Sequence, residues 1–270
     1  MAFETVRVDT EDHLGTIILD RPEEMNTFNT QLAIDLDEAL HELDEQKAVR
    51  TIVIKGAGDA FSAGIDISEH DEHSTEAEYE QWVRRMEEPF LTLSEMGTPV
   101  IAAAHGHAVA NGLGLLAACD LAVLARGTKL GATAPKVGLF CMGPAVPLMR
   151  SVTEKRCLEL LLTGELIDAE TAFEWGLANR LVPEEKLEES TRELAESIIE
   201  KSPTAIRRGK RTYYETADMT YEGALNYSNE AFGKLCTTTD AAEGIDASCP
   251  AVLRTGENQD WIRIQFDGEE

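Results

Sequence analysis

The sequence predicts a layered α/β domain with many parallel strand pairings, followed by a helical region. Short apolar strands alternate with loops and helices through the first half of the 270 residues, which is typical of a parallel sheet covered by helices. From Glu154 onward nearly every segment has helical character. We therefore expect an α/β core over residues 1–200 and a helical appendage over residues 201–270.

The chain opens with a hairpin and a helix. Alternation up to Asp9, a turn over residues 12–15 and a strand over residues 16–20 predict two paired strands. A helix is expected from about Thr30, because apolar residues recur at helical spacing and charges occupy the opposite face. The apolar residues of that helix are Leu32, Leu36, Leu40 and Leu43.

Three buried strands are predicted next, in the segments RTIVIKG, TPVIAAAHG and DLAVLAR. A helix between the first two carries large apolar side chains, and Pro89 is expected to kink it or mark its boundary. The segment HGHAVANGLG, between the second and third strands, is predicted to start a buried helix. Further along, a helix ends at Gly176, an extended segment follows, and Pro183 opens the next helix.

The charge of the chain restricts its partners. The formal net charge is −26 and the isoelectric point is near 4.5, so neither nucleic acid nor an acidic membrane is an expected partner. The acidic residues are spread over many segments, as in proteins of a cytoplasm with very high salt. We expect a halophilic source, with an ordinary acidic enzyme as the alternative.

Neither membrane insertion nor secretion is predicted. Apolar runs such as VIAAA fall far short of the roughly 20 residues of a membrane span, and the opening MAFETVRV lacks a basic and apolar leader. The five cysteines lack CxxC spacing, so neither a disulfide framework nor a zinc site is expected. These observations favour a reduced, cytoplasmic compartment and no bound metal.

Two segments place glycines and small residues directly after buried strands, where a backbone can approach a ligand closely. They are FSAGIDISEH, residues 61–70, and HGHAVANGLG, residues 105–114. We expect each segment to have free backbone N–H groups at the beginning of a helix, and two such groups converging on one oxygen would form an oxyanion hole. The sequence has no GxxxxGK[ST], and no GxGxxG opens a helix after a strand, so phosphate-binding loops of those types are excluded.

Four motifs occur in the order found in the enoyl-CoA hydratase/isomerase (crotonase) superfamily, which the chain resembles. They are DRPEEMNTFN, IVIKGAGDAFSAGIDI, PVIAAAHGHAVANGLGLLAACDLAVLA and AFEWGLANRLVP, and TDAAEGIDA is similar to a late helix of that family. The resemblance implies a crotonase (ClpP-like) fold of repeated ββα units with a C-terminal helical trimerisation region. It also implies an acyl-CoA substrate.

The resemblance assigns roles within the two glycine-containing segments. The backbone N–H groups of Ile65, in AGID, and Asn111, in VANG, would hold the thioester oxygen. Such donors favour the enolate that forms when the α-carbon of a thioester loses a proton. The residues expected along the CoA moiety, with Ala63 at its adenine end, are Ala63, Ile65, Asp66, Ile67 and Ser68.

Two positions depart from the pattern of the family's hydratases. Gly114 stands where the first catalytic glutamate belongs, and Ala134 stands where the second belongs. Neither side chain can exchange a proton, so the two-glutamate hydration mechanism is unsupported. The replacement candidates are His107, because histidine is a common general acid or base, and Asp66. The alternatives are a core histidine for His107 and a helix cap for Asp66.

Other polar residues of these motifs have structural interpretations. Glu69, His70 and His73 lie in a polar stretch where charge is normally solvated, although such loops border the acyl channel in the family. Lys136 is expected at the surface, with CoA phosphate as an alternative contact. Cys141 is expected as a small buried hydrophobe rather than a nucleophile.

The helical end carries a basic cluster and many aromatic side chains. RRGKR, residues 207–211, could attract CoA phosphates or pair with neighbouring acids, and pairing is favoured. The lysine and arginine that follow EGIxAF in the family are absent from EGIDASCPAV. The resemblance implies packing into trimers, often paired as hexamers, with packing on the helices' own core as the alternative. The side chains suited to such an interface are Tyr213, Tyr214, Tyr221, Leu225, Tyr227 and Phe232.

The observations together favour an acyl-CoA-processing enzyme, a hydratase or isomerase of fatty acid metabolism that stabilises a thioester enolate. It would need no cofactor, since the CoA thioester is the substrate. One alternative is a noncatalytic or regulatory acyl-CoA binder, favoured by Gly114 and Ala134. The other is an acyl-CoA thioesterase or decarboxylase using His107 or Asp66.

Overall fold

The structure is a computed structural model that describes residues 3–248. The strands in this range are β1 (Val6–Glu11), β2 (Leu14–Leu19), β3 (Thr51–Gly56), β4 (Val100–Ala104), β5 (His107–Val109), β6 (Leu121–Ala125), β7 (Lys129–Gly131), β8 (Ile167–Asp168) and β9 (Arg180–Val182). The helices are α1 (Thr30–Glu45), α2 (Glu76–Glu95), α3 (Asn111–Ala118), α4 (Met142–Ser151), α5 (Glu154–Thr163), α6 (Ala169–Trp175), α7 (Leu187–Ile199), α8 (Pro203–Thr216), α9 (Tyr221–Cys236) and α10 (Thr239–Ser248).

Six strands form the main sheet, in the order β1, β2, β3, β4, β6 and β9. β1 and β2 are antiparallel, and each later pair of neighbours is parallel. The short strands β5, β7 and β8 form a second sheet, in which β5 is parallel and β8 antiparallel to β7. The predicted α/β class with many parallel pairings is confirmed.

Helices cover both faces of the main sheet. On one face the strands pack against α1, α2 and α3, and the predicted leucines of α1 are fully buried there. On the other face Val53, Ile101 and Val123 pack against Ala195 of α7. Burying an aliphatic side chain of this size stabilises a fold by roughly 1.5–3 kcal/mol, so these two layers of contacts hold the strand ends in place.

The opening hairpin closes more tightly than predicted. Asp12 and His13 both have positive φ, 46° and 71°, which is the pattern of a two-residue type I′ turn. Leu14 and Gly15 therefore belong to β2, where they pair with β1. The predicted turn is wrong in its second half, because these two residues are part of the ladder.

The structure also differs from the sequence prediction at α2 and at the start of α3, and it agrees with the prediction at the end of α6. α2 continues through Pro89, so that residue marks no boundary. β5 lies within the segment predicted to start a helix, and α3 begins only at Asn111. α6 ends before Gly176, whose φ is 91°, and β9 follows as the extended segment.

Contacts divide the described chain into two units. The first ends at Arg211 and contains both sheets; the second begins at Thr212 and contains the end of α8 together with α9 and α10. The domain boundary expected at residue 200 stays a prediction. Cys249 and the rest of the segment 249–270 lie outside the described residues. None of the helices between residues 3 and 248 combines the length and the hydropathy of a membrane-spanning segment.

Candidate active site

Two loops that follow neighbouring parallel strands lie side by side. The AGID loop follows β3, and the VANG loop follows β4 and β5. The N–H of Ser62 donates to the carbonyl of His107 at 3.0 Å, and the N–H of Val109 donates to the carbonyl of Ser62 at 3.0 Å. The carboxyl ends of parallel strands form the usual binding edge of such sheets, and here these bonds join both glycine-containing segments at that edge.

The two loops approach most closely at Gly64 and Ala110. A Cβ added to Gly64 would lie 2.7 Å from the Cβ of Ala110, so a side chain at residue 64 would push the loops apart. The φ angles of these residues are 99° and 47°. A positive φ at an alanine is uncommon, and strained backbone of this kind concentrates at functional sites. Gly64 and Ala110 directly precede the two residues predicted to donate to a thioester oxygen.

The backbone N–H groups of Ile65 and Asn111 have no acceptor among residues 3–248. Ile65 and Phe28 form an isolated β-bridge. In this bridge the N–H of Phe28 donates to the carbonyl of Gly64 at 2.7 Å, and the N–H of Asp66 donates to the carbonyl of Phe28 at 2.8 Å. The N–H of Ile65 itself has no acceptor within the described residues. Asn111 is the first residue of α3, where N–H groups have no partner inside the helix. In the part of the chain that the structure describes, two donors without acceptors thus flank the contact between the loops, which is the arrangement an oxyanion hole requires.

The side chain of Asn111 adds a further polar atom to this place. Asn111 is 2% exposed, and its Nδ2 is buried without a hydrogen-bond partner among residues 3–248. Buried polar groups are nearly always hydrogen-bonded. An acceptor on a bound ligand would satisfy this nitrogen.

The residues expected along the CoA moiety form a partly open stretch of chain. Ala63 is half-buried, and its N–H donates to the carbonyl of Met25 at 3.0 Å. Ile67 is 71% exposed, and Ser68 is exposed as well. The segment is therefore open to solvent at Ile67 and Ser68.

Asp66 is held by its neighbours. Its Oδ2 accepts from Arg21 at 2.9 Å, and its Oδ1 accepts from the N–H and hydroxyl of Ser68 at 3.1 and 2.7 Å. Burial raises the pKa of Asp66, but the hydrogen bonds from Ser68 and Arg21 outweigh burial and hold the pKa below its usual value. The carboxylate also caps the turn Ile67–Glu72. This is the environment of a structural cap rather than of a proton donor.

Glu69 and His73 are less solvated than predicted. Glu69 accepts from the N–H of Thr30 at 2.9 Å and from Nε1 of Trp82 at 3.0 Å, so it ties its loop to α1 and α2. The ring of His73 packs 5.1 Å from that of Trp82, whereas His70 is exposed. The expectation of a simply solvated stretch is wrong here, because the aromatic side chains of α2 cover it.

The remaining polar candidates lie on three elements. His107 is half-buried in β5, and its side chain makes no hydrogen bond within the described part of the chain. Lys136 is exposed and lies 3.5 Å from Glu165. Cys141 is buried, and burial raises the pKa of its thiol, which makes it a poor nucleophile. The surface and buried-hydrophobe interpretations of Lys136 and Cys141 agree with these positions.

The basic cluster RRGKR pairs with acids of the first unit. Arg207 and Arg211 lie 2.9 and 3.3 Å from the carboxylate of Asp44. Lys210, with a side chain only 6% exposed, lies 2.7 Å from Asp120. These three cations are engaged by the fold, so the structure favours pairing with neighbouring acids over a CoA phosphate site.

The chain is similar to enoyl-CoA hydratases over most of its length. A model of the enoyl-CoA hydratase/isomerase family matches residues 9–249. Crotonyl-CoA hydratase of Syntrophomonas wolfei is 30% identical over 251 residues, which cover 92% of this chain and 95% of that protein. Enoyl-CoA hydratase domain-containing protein 3 of Rattus norvegicus is 32% identical over 238 residues, 88% of this chain and 79% of that one.

A solved structure has the same fold. The crystal structure of enoyl-CoA hydratase from Mycobacterium smegmatis matches with a TM-score of 0.88 at 32% identity, and the match covers 93% of this chain and 97% of that one. The predicted crotonase fold with a helical C-terminal region is therefore confirmed. The chain belongs to the enoyl-CoA hydratase/isomerase family.

Proposed function

We propose that this protein binds an acyl-CoA thioester and catalyses a reaction that passes through the enolate at the acyl α-carbon. The observation that supports this most directly is that the N–H groups of Ile65 and Asn111, beside the contact between Gly64 and Ala110, have no acceptor among the described residues. Both would donate to the thioester oxygen. A donor fixed before charge develops is worth about 3 to 4 kcal/mol in other oxyanion holes.

The reaction belongs to the hydratase or isomerase class, that is, to the lyases or isomerases, and fatty acid metabolism is its expected context. The names of relatives such as crotonyl-CoA hydratase support a CoA thioester as substrate. The two-glutamate hydration mechanism is not proposed, because Gly114 and Ala134 carry no carboxylate. The thioester itself supplies the electron-withdrawing group, so no further cofactor is required.

Exchange of α-hydrogens tests the proposal. We expect the protein, in molar KCl and D₂O, to incorporate deuterium at the α-carbon of butyryl-CoA, as followed by mass spectrometry. Gly64→Ala is expected to slow this exchange by about 10²-fold, comparable to loss of an oxyanion donor, because the new Cβ would lie 2.7 Å from Ala110. If the protein binds no acyl-CoA, the proposal is wrong.

Gly127→Ala is the matched control for that variant. Gly127 also has a positive φ, 92°, but a Cβ added there meets nothing within 4 Å. Both variants therefore carry similar backbone strain, and only the first brings the two loops into collision. Equal losses of exchange in both would show that strain rather than loop contact is responsible.

Two alternative functions are separated by the same assays. A noncatalytic acyl-CoA binder, favoured by the absence of a carboxylate at residues 114 and 134, would bind butyryl-CoA without exchange. A thioesterase or decarboxylase using His107 would release free CoA thiol or carbon dioxide, and His107→Ala would abolish that release. Asp66 is a weaker candidate for this role, because Arg21 and Ser68 already engage its carboxylate.

We also propose that the protein assembles as a homotrimer or homohexamer in a cytoplasm of high salt. Tyr213, Tyr221 and Phe232 of the second unit are 71%, 83% and 67% exposed, which suits burial against another copy. Light scattering in molar KCl should give three or six times the chain mass of 29.6 kDa. The thermal midpoint should rise with KCl, because salt screens the repulsion within a chain of net charge −26.

A further inference from the structure

Proton transfer at the α-carbon needs a group that can lose and regain a proton, and residues 114 and 134 supply none. A Cβ added to Gly114 would lie 2.9 Å from the ring of Phe90 and 3.0 Å from Cα of Pro144, so α2 and α4 close around this position. The backbone of Ala134 lies beside the thiol of Cys141, which directly precedes α4. Both positions therefore border the place where α2, α3 and α4 meet.

Glu87 brings a carboxylate to this helix junction. It lies on α2, one helical turn before Phe90. A Cβ added to Gly143, in the first turn of α4, would lie 1.6 Å from Oε1 of Glu87 and 2.6 Å from its Oε2. The carboxylate thus rests directly on the backbone of α4, next to the proline that borders Gly114.

Glu87 has no partner of its own within the described residues, where its carboxylate forms neither a hydrogen bond nor an ion pair. It is half-buried, and burial raises its pKa. A carboxylate withdrawn from water without compensation destabilises a fold. Such groups are typical of sites where a proton is exchanged.

The helix junction lies close to the proposed oxyanion hole. Asn111 and Gly114 both belong to α3 and are separated by about 4.5 Å along the helix axis at 1.5 Å per residue. A thioester oxygen held at the N–H of Asn111 would therefore place the adjoining acyl carbons within reach of side chains at the junction. Glu87 is the carboxylate that the structure brings there from α2.

We propose that Glu87 is the catalytic residue that transfers the proton at the acyl α-carbon, an assignment that rests on the proposed function. The carboxylate of Glu87 takes the α-proton. The C–H electron pair forms the C–C double bond of the enolate, and the negative charge moves to the thioester oxygen, held by Ile65 and Asn111. The carboxylic acid of Glu87 then returns the proton to the same carbon or, in an unsaturated acyl chain, to the γ-carbon.

Return of the proton to the γ-carbon shifts the double bond by one position and regenerates the carboxylate. The step is balanced with one carboxylate and no water, so it fits isomerisation better than hydration. The substrate class it favours is a 3-enoyl-CoA thioester, converted to the conjugated 2-enoyl-CoA. Exchange with solvent deuterium would occur whenever the Glu87 proton is lost to water before it returns.

The test compares Glu87→Gln with Glu88→Gln in the full-length protein. Glu88 neighbours Glu87 on α2 but is exposed, so its variant controls for the loss of one negative charge. We expect Glu87→Gln to bind butyryl-CoA as tightly as the parent in calorimetry. Its deuterium exchange and its isomerisation of but-3-enoyl-CoA should fall about 10²- to 10⁴-fold, the usual contribution of acid–base catalysis. Glu88→Gln should retain both activities.

A second pair of variants displaces the carboxylate without removing it. Gly143→Ala would place a Cβ 1.6 Å from Glu87 Oε1 and should slow exchange, whereas Gly209→Ala, with nothing within 4 Å, should not. Circular dichroism would verify that each variant is folded. If the parent exchanges deuterium and Glu87→Gln exchanges it at the same rate, the assignment of Glu87 is wrong and the proposed function still holds. Binding without exchange in the parent would overturn both, and failure to bind would overturn the proposed function itself.

Discussion

Asp66 and Glu87 are both carboxylates partly withdrawn from water, one in the AGID loop and the other on α2. Asp66 accepts from Arg21 and Ser68, which hold its pKa down, whereas burial alone acts on Glu87 and raises its pKa. Arg21 supplies a guanidinium to Asp66, and Ser68 supplies a hydroxyl and an N–H, whereas the helix junction presents a glycine backbone to Glu87. The number of partners, more than burial, therefore separates a structural acid from a reactive one.

This contrast predicts that removing a well-partnered charge lowers stability, and the largest loss is expected at Lys210. Lys210→Met would leave Asp120 without a cation that lies 2.7 Å away in a nearly buried pair. Breaking a buried pair from one side costs about 3–5 kcal/mol, which urea unfolding would measure. Lys136→Met, in an exposed pair with Glu165 at 3.5 Å, should cost at most about 1 kcal/mol. Similar losses in both would contradict the contrast.

A smaller loss is expected for Asp66→Asn. The variant removes the charged acceptor of Arg21, and a hydrogen bond to a charged group contributes about 1.5–3 kcal/mol. Because the pKa of Asp66 is lowered in the folded state, its contribution is present above the ordinary aspartate range near pH 4 and disappears on further acidification. The gap in unfolding free energy between parent and variant should narrow below about pH 4.

The smallest effect, with the opposite sign, is expected for Glu87→Gln. Removing an unpartnered, half-buried charge should raise the unfolding free energy by about 0.5 kcal/mol, as is common when a functional group under strain is replaced. The raised pKa means that the folded parent loses stability as the pH rises through that pKa, whereas the glutamine variant does not. The advantage of the variant should therefore grow with pH. A variant less stable than the parent at neutral pH would show that Glu87 is structural.

Local patterns in the sequence were sufficient to predict the fold class and to single out the two glycine-containing segments, whereas the donor roles of Ile65 and Asn111 come from the resemblance and stay predictions. Alternation, helical spacing and glycines after strands are all properties of short stretches, and AGID and VANG are of this kind. β5 was missed because a strand of three residues is defined by its pairing with β7, not by its own composition. The hydrogen bond from Thr30, the first residue of α1, to Glu69 was missed for the same reason, since the two residues are distant in sequence.

Glu87 was missed because its surroundings in the sequence, RRMEEPF, are those of an exposed helix face. One signal was available: Glu87 follows the buried Met86 and precedes Phe90 by one turn, which puts it at the edge of the apolar stripe of α2. That position alone does not distinguish a solvated carboxylate from a reactive one. The distinction depends on Gly143, which reaches the carboxylate only in the folded chain.

The contact between Gly64 and Ala110 has an evolutionary consequence. Because the two residues touch at the base of both loops, a substitution at either one changes what the other can tolerate. Gly64→Ala should destabilise the fold less when it is combined with Ala110→Gly, because the second substitution removes the opposing Cβ. We expect the two positions to be inherited as a pair, so that among descendants of this chain the residue at one would indicate the residue at the other.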